Sequence, residues 1–410
     1  MLIPSIDLVK GQAVQLKQGR ELELVSDADP RDLARRFGRG GEIAVIDLDA
    51  ARGTGDNLAL VEELCALAPC RVGGGIRDVE RGERLLRAGA RKLIIGTRAE
   101  PAFLGQLNPT RVLAAVDAED DRVVDEGWTR THAESPIVRA RRLEPFVAGF
   151  LYTQVEREGT GGGTDLERIR QLARAVGKPV TAAGGIATLA EVVELDRMGV
   201  DAQVGMALYK GAFTAAEGFA AAVDFVRVGH VPTVVQDVRD GRVLMVAHST
   251  RETLVESLET GDVVLYSRRR GRWRKGETSG HTQRLARAEV DCDRDALVFH
   301  VMPAGPACHR GTESCFGERP FSLARLEAVI RGRREADGDG SYTRRLLDDP
   351  VARRAKILEE ANELVEADST AHARWETADL LYHVLVDLVA RDLPLAAVVT
   401  ELEARRRRPD

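Results

Sequence analysis

The 410-residue chain is predicted to be an α/β protein with a (β/α)8 TIM barrel, followed by a small α+β domain and an all-α domain. Its length exceeds what one ordinary hydrophobic core accommodates. Short apolar runs alternate with helical patterns over the first 226 residues, as in a barrel of strand–helix units. From Phe321 onward the pattern becomes helical. The expected domains are therefore 1–226, 231–319 and 320–410.

Composition restricts the class of protein and its partners. Hydrophobic residues make up 44% and charged residues 30% of the chain, as in a soluble globular protein. The net charge of -6 argues against nucleic acid as a partner. No apolar run approaches the length of a membrane span, and Asp7 and Lys10 come too early for a signal peptide. The five cysteines are an odd number without a small-domain framework, so we expect a cytoplasmic protein.

The barrel prediction begins with an apolar strand, LIPSID, that ends at Asp7. Seven further apolar runs follow as candidate strands: IAVIDLD (43–49), CRVGG (70–74), KLIIG (92–96), VLAAVD (112–117), GFLYTQ (149–154), PVTAAGG (179–185) and AQVGM (202–206). Helix-like segments lie between them, among them 30–37, 79–88 and 166–176. Eight strands separated by helices are the number that a closed barrel of this kind needs.

An internal repeat relates the two halves of the predicted barrel. Asp7 and Asp117 each end an apolar strand, roughly 110 residues apart, and the Gly-Ile pairs at Gly75 and Gly185 have the same spacing. Glycines at the carboxyl end of a barrel strand let backbone N–H groups approach a phosphate, although a single glycine is more often a plain tight turn. The predicted phosphate-binding residues are Gly75, Gly96, Thr97, Gly184, Gly185 and Gly205. Two such sites would hold a substrate with a phosphate at each end, and the two aspartates between them could share acid and base roles.

Specific motifs add a resemblance over almost all of residues 1–226. The pieces are IPSIDLVKGQAVQL, VIDLDAARGTGDN, VGGGIR, IIGT, DEGWTRT, REGTGGGTDL, AAGGI and VGMALYKG. They resemble the phosphoribosylformimino-AICAR-phosphate isomerase of histidine biosynthesis. The resemblance implies an aldose-to-ketose (Amadori) rearrangement of a substrate with two phosphates. It also implies that Asp7 is the general base, that Asp117 is a second essential carboxylate, that Trp128 stacks on the substrate and that Thr153 is a polar residue of the site.

Two positions depart from this family. Glu158 stands where the family usually has an aspartate, and this carboxylate is a candidate general acid beside Asp117. Gln15 stands where an arginine is common, which bears on phosphate contacts. A sister group also isomerises phosphoribosylanthranilate, and the stretch GTGDN (53–57) is similar to that group. The barrel is thus expected to act on the histidine intermediate alone or on both substrates, with a degenerate binding module as the remaining alternative.

The middle segment concentrates metal-ligating residue types. A hairpin at 231–249 and a helix at 251–259 precede a stretch with three alternating aspartates and three cysteines, Asp291, Asp293, Asp295, Cys292, Cys308 and Cys315. If VDCDRD is a strand, its carboxylates point to one face and Cys292 to the other. Carboxylates suit Mg²⁺, and three thiolates with an open position suit a catalytic Zn²⁺. Any one cysteine alone could be just a small buried residue.

Residues 231–317 resemble phosphoribosyl-AMP cyclohydrolase, through WRKGETSGHTQ, VDCDRD and GPACHRGTESC. The resemblance implies zinc on the three cysteines, magnesium on the three aspartates, and hydrolytic opening of the adenine ring. His309 or His281 could move the proton. The basic stretch 268–275 could by composition bind nucleic acid, but Arg268, Trp273 and Lys275 are assigned to the phosphate and adenine pocket. In relatives the zinc ligands come from two subunits, so a homodimer is implied.

The last segment carries an EExxE…ExxD pattern on predicted helices, after an expected loop at 335–350. Its acidic residues are Glu359, Glu360, Glu363, Glu376 and Asp379. Acidic pairs on helices are usually a solvated face, but these border apolar stripes, and carboxylates there repel unless a cation joins them. The pattern resembles phosphoribosyl-ATP pyrophosphohydrolase. This implies Mg²⁺ on Glu360, Glu363, Glu376 and Asp379, activation of water by Glu359, and helical oligomers.

The three resemblances name consecutive steps of histidine biosynthesis. The helical domain would release diphosphate from phosphoribosyl-ATP, the middle domain would open the ring of the phosphoribosyl-AMP, and the barrel would isomerise that product. The expected cofactors are Zn²⁺ and Mg²⁺. The expected partners are small phosphoribosyl nucleotides, with no nucleic acid and no membrane, and a homodimer or higher homo-oligomer formed through the two C-terminal domains.

Overall fold

The computed structural model describes residues 1–19, 21–225, 229–317, 321–335 and 340–405, without the side chains of 335, 403 and 404. The expected domain limits at 226 and at 319–320 lie outside these residues. The chain divides into two compact units, the first of Met1–Val238 with Val243–Phe316 and the second of Arg239–Arg242 with Gly317–Asp410. Within the described ranges, no helix is both long and apolar enough to cross a membrane.

Strands belong to the first unit. They are β1 (Leu2–Val9), β2 (Gln12–Lys17), β3 (Glu21–Val25), β4 (Ile43–Asp47), β5 (Cys70–Gly73), β6 (Lys92–Ile95), β7 (Val112–Glu119), β8 (Arg122–Asp125), β9 (Arg130–Thr131), β10 (Gly149–Gln154), β11 (Val180–Ala183), β12 (Asp201–Val204), β13 (Val231–Asp237), β14 (Val243–Ser249), β15 (Val264–Ser267), β16 (Gly271–Arg274), β17 (Gln283–Val290) and β18 (Leu297–Pro303).

Helices connect the barrel strands and build the second unit. They are α1 (Pro30–Phe37), α2 (Leu48–Arg52), α3 (Leu58–Leu67), α4 (Val79–Arg87), α5 (Pro101–Leu104), α6 (Pro136–Leu143), α7 (Leu166–Ala175), α8 (Leu189–Arg197), α9 (Met206–Tyr209), α10 (Ala215–Ala221), α11 (Arg251–Thr260), α12 (Leu323–Glu335), α13 (Tyr342–Asp348), α14 (Pro350–Glu366), α15 (Thr370–Ala390) and α16 (Leu395–Arg405).

Eight parallel strands close the predicted barrel. Their order is β1-β4-β5-β6-β7-β10-β11-β12, and β12 pairs with β1 to close the ring. The main core lies between these strands and the surrounding helices. A small second cluster of Ile94, Leu113, Leu151 and Ala183 fills the inside of the barrel. The fold class is therefore confirmed, and the carboxyl ends of the strands meet at one mouth.

The ends of β4 and β12 show why two predicted strands ran too far. The run 43–49 stops as a strand at Asp47, whose side chain accepts a hydrogen bond from Ala50 N and starts α2. The run 202–206 stops at Val204, because Gly205 caps the short helix α9. Capping chemistry interrupts an apolar run that reads as continuous strand.

A six-stranded sheet forms the middle part of the first unit, in the order β16-β15-β14-β13-β18-β17. The predicted hairpin of β13 and β14 and the helix α11 are present. The core of this sheet includes residues from the last barrel helix and the chain after it, namely Ala216, Phe219, Ala220, Val223 and Phe225. In addition, Arg39 of the barrel donates to the carbonyl oxygens of Leu258 and Glu259, each at 2.9 Å, at the end of α11. The sheet therefore packs on the barrel through a shared hydrophobic core.

The second unit is helical, as predicted. Its core consists of Ile330, Leu346, Leu347, Leu385, Val386 and Val389. The expected loop at 335–350 was wrong over its second half, because Ser341 accepts a hydrogen bond from Arg344 N and begins α13. Leu346 and Leu347 of this short helix are buried, so tertiary packing stabilises a segment whose Asp- and Gly-rich start indicates a loop.

The segment VDCDRD was wrong as a strand. Strand β17 ends at Val290, and the next residues form a turn before β18. Arg294 has a φ of 68°, a left-handed conformation that a strand cannot contain. The alternation of Asp291, Cys292 and Asp293 therefore does not place side chains on opposite faces of a sheet.

Candidate active sites

A cavity of about 280 Å3 opens at the carboxyl ends of the barrel strands. Most of the predicted site residues line it, namely Asp7, Gly75, Gly96, Thr97, Asp117, Trp128, Thr153, Glu158 and Gly205. The parallel register carries Asp7 on β1 and Asp117 on β7 to this mouth, with Thr153 opposite Asp117 on β10. Gly184 and Gly185 do not line the cavity.

Asp7 and Asp117 are each held by a hydrogen-bond donor. Ser5 Oγ donates to Asp7 Oδ1 at 2.7 Å, and Trp128 Nε1 donates to Asp117 Oδ2 at 2.8 Å. Burial raises the pKa of Asp7 to about 6, and the Ser5 hydrogen bond opposes this shift. Burial also raises the pKa of Asp117, against the hydrogen bonds from Trp128 and Thr153. Both side chains face the cavity and so remain partly accessible to water, although the barrel wall encloses them.

Glu158 joins the two aspartates from the loop after β10. Its backbone oxygen accepts from Gln18 N at 3.0 Å, which ties this loop to the β2–β3 turn. Burial raises the pKa of Glu158 to about 8, and the charges of Asp7 and Asp117 add to this effect. The three carboxyl groups therefore share one cavity, with Glu158 protonated at a pH where Asp7 is ionised.

The two halves of the barrel differ in the surroundings of their glycine pairs. Gly74 has a φ of 97°, and a Cβ there would lie 2.1 Å from Asp47 O, so this turn needs glycine, and Gly75 beside it lines the cavity. In the second half, a Cβ on Gly184 would likewise lie 2.4 Å from Gln154 O, but Gly185 packs against Gly163 O of the 157–164 loop and does not line the cavity. Glu191 accepts the backbone N–H groups of Ala187 and Thr188, each at 3.0 Å. The N–H groups after Gly185 are thus occupied by a carboxylate of the chain.

Gln15, at the position where the family more often has arginine, reaches the second predicted phosphate region. Its side chain is buried and lines the cavity. Gln15 Nε2 donates to Val14 O at 2.8 Å, and a Cβ on Gly205 would lie 2.3 Å from Gln15 Oε1. A neutral amide therefore packs against Gly205 in this chain.

Sequence reasoning missed several charged residues of the cavity. Arg52, Arg77, Arg98, Asp125 and Arg139 also line it. Asp125 Oδ2 lies 2.7 Å from His132 Nε2, while its buried Oδ1 has no hydrogen-bond partner among the described residues. The position of Asp125 within DEGWTRT, three residues before Trp128, was the available signal.

The middle part brings two of its three predicted thiols together. Cys308 and Cys315 interact, in a loop held by the hydrogen bond from Cys315 N to Leu244 O at 2.8 Å. The Arg310 N–H lowers the pKa of the Cys308 thiol, and burial raises that of Cys315. Burial lowers the pKa of Lys275, and the neighbouring thiolates oppose this shift. Cys292 is exposed, and the described residues contain no group of three metal-ligating side chains that includes it.

The three aspartates of this part converge despite the turn. Ligand oxygens of Asp291, Asp293 and Asp295 all lie within 4.8 Å of one another, and Asp291 Oδ1 also accepts from Ala296 N at 3.1 Å. His281 and His309 are exposed. A Cβ on Gly305 would lie 2.3 Å from His281 Nδ1, so that ring packs on the chain close to Cys308 in sequence.

The predicted nucleotide pocket residues lie on or beside the β15–β16 hairpin. Trp273 is on β16, Arg270 stacks over its ring at 6.0 Å, and Lys275 follows the strand as a buried residue. The charge of Arg268 acts on His248, whose pKa is lowered chiefly by burial. One aromatic ring and several cations are thus available at this hairpin for a nucleotide.

The second unit gathers carboxylates from α14 and α15. Ligand oxygens of Glu360, Glu363 and Glu376 all lie within 4.8 Å of one another, and Glu360 and Glu376 are buried. Burial and the charges of Glu376 and Glu360 raise the pKa of Glu363. Asp379, one turn after Glu376, is half-buried and is not part of this group of three.

One lysine and two histidines already accompany this acidic group. Lys356 Nζ donates to Glu359 Oε1 at 2.8 Å and to Glu360 Oε1 at 3.3 Å, and these contacts raise the pKa of Lys356. His372 Nε2 lies 3.3 Å from Glu376 Oε1, and His383 Nε2 lies 3.6 Å from Glu360 Oε1. Sequence reasoning missed both histidines, although the i, i+4 spacing of His372 and Glu376 was a usable signal.

Three family models match the chain in order. The model described as "Histidine biosynthesis protein" matches residues 1–214, more than half of the chain. "Phosphoribosyl-AMP cyclohydrolase" matches residues 245–317 and "Phosphoribosyl-ATP pyrophosphohydrolase" matches residues 323–406. These ranges contain the clusters of side chains described above.

Curated relatives match the same segments. An imidazole-4-carboxamide isomerase of Sorangium cellulosum is 42% identical over 237 residues, which cover 54% of this chain and 98% of the relative. The histidine biosynthesis bifunctional protein HisIE of Halalkalibacterium halodurans is 42% identical over 196 residues, 44% of this chain and 93% of the relative. A histidine biosynthesis trifunctional protein of Neurospora crassa is 42% identical over 177 residues, 43% of this chain and 20% of the relative.

The barrel segment thus resembles isomerases, and the rest of the chain resembles histidine biosynthesis bifunctional proteins. The chain belongs to the histidine biosynthesis family, as a multifunctional enzyme that joins isomerase, cyclohydrolase and pyrophosphohydrolase domains in one polypeptide.

Proposed function

We propose that this chain carries out three consecutive steps on phosphoribosyl nucleotides, with the residue roles given below. The second unit releases diphosphate from phosphoribosyl-ATP, the middle sheet opens the adenine ring of the resulting phosphoribosyl-AMP, and the barrel converts the product from aldose to ketose. The observation that carries the proposal is the clustering of Asp7, Asp117 and Glu158 in one cavity; two separate acidic groups, one in each unit, are suited to divalent cations. The proposed domain limits remain those near 226 and 320.

In the barrel, an acid must protonate the ring oxygen of the aldose as the sugar ring opens. A base must then remove the proton from C2, the carbon next to the anomeric carbon. Glu158, with a pKa of about 8, retains its proton at neutral pH and is assigned as the acid. Asp7, with a pKa of about 6, is ionised there and is assigned as the base. Asp117 receives hydrogen bonds from Trp128 and Thr153, which favour its carboxylate form and support a role in holding the substrate.

Binding of the substrate is assigned to the rest of the cavity wall. Gly75, Gly96 and Thr97 offer backbone groups to one phosphate, and the backbone of Gly205 with the side-chain amide of Gln15 faces the other. Trp128 provides a ring for stacking on the substrate. A degenerate barrel is disfavoured, because three carboxyl groups in one enclosed site repel one another, a cost that a purely structural module has no reason to keep.

In the middle part, the donor set fits zinc in composition but is incomplete within one chain. Cys308 and Cys315 supply two soft ligands, and the exposed Cys292 is free to reach a second copy of the chain. A bound Zn²⁺ lowers the pKa of water to about 7, which is the chemistry that ring hydrolysis requires. His309 and His281 are assigned to move the proton, and Arg268, Trp273 and Lys275 to bind the nucleotide. This assignment requires a homodimer.

The two acidic groups fit magnesium. Hard oxygen donors from Asp291, Asp293 and Asp295 lie close enough to share one cation. Desolvation is the main cause of the raised pKa of Glu363, and the charges of Glu376 and Glu360 add to it, a repulsion that a shared cation would relieve. Bound Mg²⁺ would neutralise phosphate charge, Asp379 would contribute from the next turn of α15, and Glu359 would help to activate water.

The proposal is tested by three variants that each block one step. Full-length protein with Mg²⁺ and Zn²⁺ receives phosphoribosyl-ATP, and the products are separated by chromatography. We expect Glu363→Gln to lose diphosphate release, Cys308→Ala to accumulate phosphoribosyl-AMP, and Asp7→Asn to accumulate the aldose. In each variant the rate of the affected step should fall by about 100-fold or more. The matched controls are Glu366→Gln on the same helix, Cys65→Ala and Asp27→Asn, which should behave like the unaltered protein. Any variant that proceeds at the rate of its control removes that residue from the scheme.

A further inference from the structure

The turn that carries Asp291, Asp293 and Asp295 is attached to the barrel at its fourth residue. The guanidinium of Arg294 forms an ion pair with Asp196 on the barrel helix α8. The carbonyl oxygen of the same residue accepts a hydrogen bond from Asp224 N at 2.8 Å, just after α10. One residue of the turn is therefore held by the barrel at both its side chain and its backbone.

The backbone of Arg294 adopts a conformation that is unfavourable for arginine. Its φ of 68° lies in the left-handed region, which costs free energy for an L residue other than glycine. The turn is closed on the other side by hydrogen bonds between Asp291 and Ala296, at 3.1 Å each. Contacts with the barrel offset the cost of the left-handed residue, so the shape of the turn depends on them.

The environment of Asp196 makes this contact different from an ordinary surface pair. The Asp196 side chain is only 7% exposed, and that of Arg294 is 34% exposed. Asp196 Oδ1 also receives a hydrogen bond from the amino group of Met1 at 3.1 Å. A nearly buried carboxylate needs its cationic partners, so loss of Arg294 leaves a poorly compensated charge and frees the turn.

Arg294 stands directly between two of the proposed cation ligands. Fixing its φ and its carbonyl group fixes the directions in which Asp293 and Asp295 leave the backbone. Their oxygens lie within 4.8 Å of each other and of Asp291 in this arrangement. We propose that Arg294 and Asp196 form a positioning pair, through which the barrel orients the divalent-cation ligands of the ring-opening domain. This inference rests on the metal role proposed for that turn.

Cation binding provides a test that does not depend on turnover. Zinc-loaded full-length protein is titrated with Mn²⁺ and followed by electron paramagnetic resonance, in a Glu376→Gln background that disables the acidic group of the second unit. Arg294→Asn should weaken Mn²⁺ binding by about 10-fold, the usual effect of removing a residue that orients a metal ligand. Asparagine tolerates the left-handed conformation, so the substitution removes the ion pair without adding backbone strain. Asp196→Asn should have a similar effect, and the double variant should be no worse than either single variant.

Two further variants separate positioning from general stability. Arg294→Lys keeps the charge and should bind Mn²⁺ within about 3-fold of the parent protein, even if its melting temperature falls. Arg287→Gln removes an arginine whose partner, Glu289, lies on the same strand, and should leave Mn²⁺ affinity unchanged. The isomerase activity of the barrel in Arg294→Asn should also equal that of the parent, which shows that the first unit is folded.

The outcomes are distinguishable. Equal Mn²⁺ affinity in Arg294→Asn and Arg287→Gln overturns the positioning role while leaving the metal site itself in place. Unchanged Mn²⁺ binding in Asp293→Asn instead removes the proposed metal role of the turn, and the positioning role with it. Weakened binding in Arg294→Asn and Asp196→Asn, with recovery in Arg294→Lys, supports the inference.

Discussion

Replacing Glu158 with glutamine tests the division of acid and base roles in the barrel. Glutamine keeps the size of the side chain but has no acidic proton that it can transfer to the substrate. The pKa of Glu158 is raised to about 8 and that of Asp7 to about 6. The active form therefore has Asp7 ionised above about pH 6 and Glu158 protonated below about pH 8. In the unaltered protein, kcat/KM for the aldose should follow a bell between these limits.

The expected change has a magnitude and a shape. A general acid contributes about 100-fold to 10,000-fold to the rate, so kcat of Glu158→Gln should fall within that range. The alkaline limb near about pH 8 should disappear, because the group that loses its proton there is gone. The acid limb near about pH 6 should persist, because burial is the main cause of the raised pKa of Asp7.

The assay measures ketose formation from the purified aldose at a series of pH values. Glu156→Gln is the matched control, since Glu156 lies two residues earlier in the same loop and pairs with Arg168 at 2.9 Å outside the cavity. An alkaline limb that survives in Glu158→Gln but is lost in Asp117→Asn would refute the assignment and make Asp117 the acid.

Three further predictions concern stability and metals. The pKa of Glu158 is raised from 4.5 to about 8 in the folded protein, so the stability that depends on its neutral form is fully present below pH 4.5 and is lost as the pH rises toward about 8. Glutamine cannot ionise. In calorimetry, Glu158→Gln should therefore have a higher melting temperature than the unaltered protein at alkaline pH and the same melting temperature at acid pH. Phe219→Ala, in the core shared by α10 and the middle sheet, should destabilise the first unit by about 3–5 kcal/mol and inactivate isomerisation and ring opening together on heating, whereas separate losses would contradict a shared core. Removal of zinc by a chelator, or Cys308→Ala with its lost zinc content, should abolish ring opening and leave isomerisation intact; ring opening by metal-free protein would exclude a zinc role.

Much of the barrel and its acidic residues could be predicted from the sequence. Apolar runs that alternate with helical patterns predict the strands and helices of the barrel. A repeat of roughly 110 residues places Asp7 and Asp117 at equivalent strand ends. Both side chains line the same cavity, because parallel strands in register bring their carboxyl ends to one mouth. Local pattern and topology together were sufficient here.

Loop packing could not be predicted in the same way. Gly185 repeats Gly75 in sequence, yet the 157–164 loop covers Gly185 and Glu191 occupies the adjacent N–H groups. The strand assigned to VDCDRD failed because period-two alternation also occurs in a turn, and part of what holds that turn is its contacts with the distant Asp196 and Asp224. Such contacts join residues far apart in the chain and leave no local periodic signal.

Sequence spacing also could not show which of the predicted metal ligands meet in the folded chain. Three cysteines in one segment suggest one site, but only Cys308 and Cys315 meet within the chain, and Cys292 lies exposed elsewhere. The acidic group of the second unit was predicted better, because Glu360 and Glu363 share a helix face by simple periodicity. His383, which contacts Glu360, also lies on the helix face of Glu376 and Asp379 by its i+7 and i+4 spacing, so the same periodicity could have placed it there.

One measurement tests the central claim that three sites on one polypeptide act in sequence. The purified, unaltered chain is supplied with phosphoribosyl-ATP, Mg²⁺ and Zn²⁺ and no other protein, and diphosphate and sugar products are quantified over time. The account predicts that diphosphate and the ketose product reach equal amounts and that the aldose is a transient intermediate. Ketose that never forms while the aldose accumulates to the amount of diphosphate would contradict it.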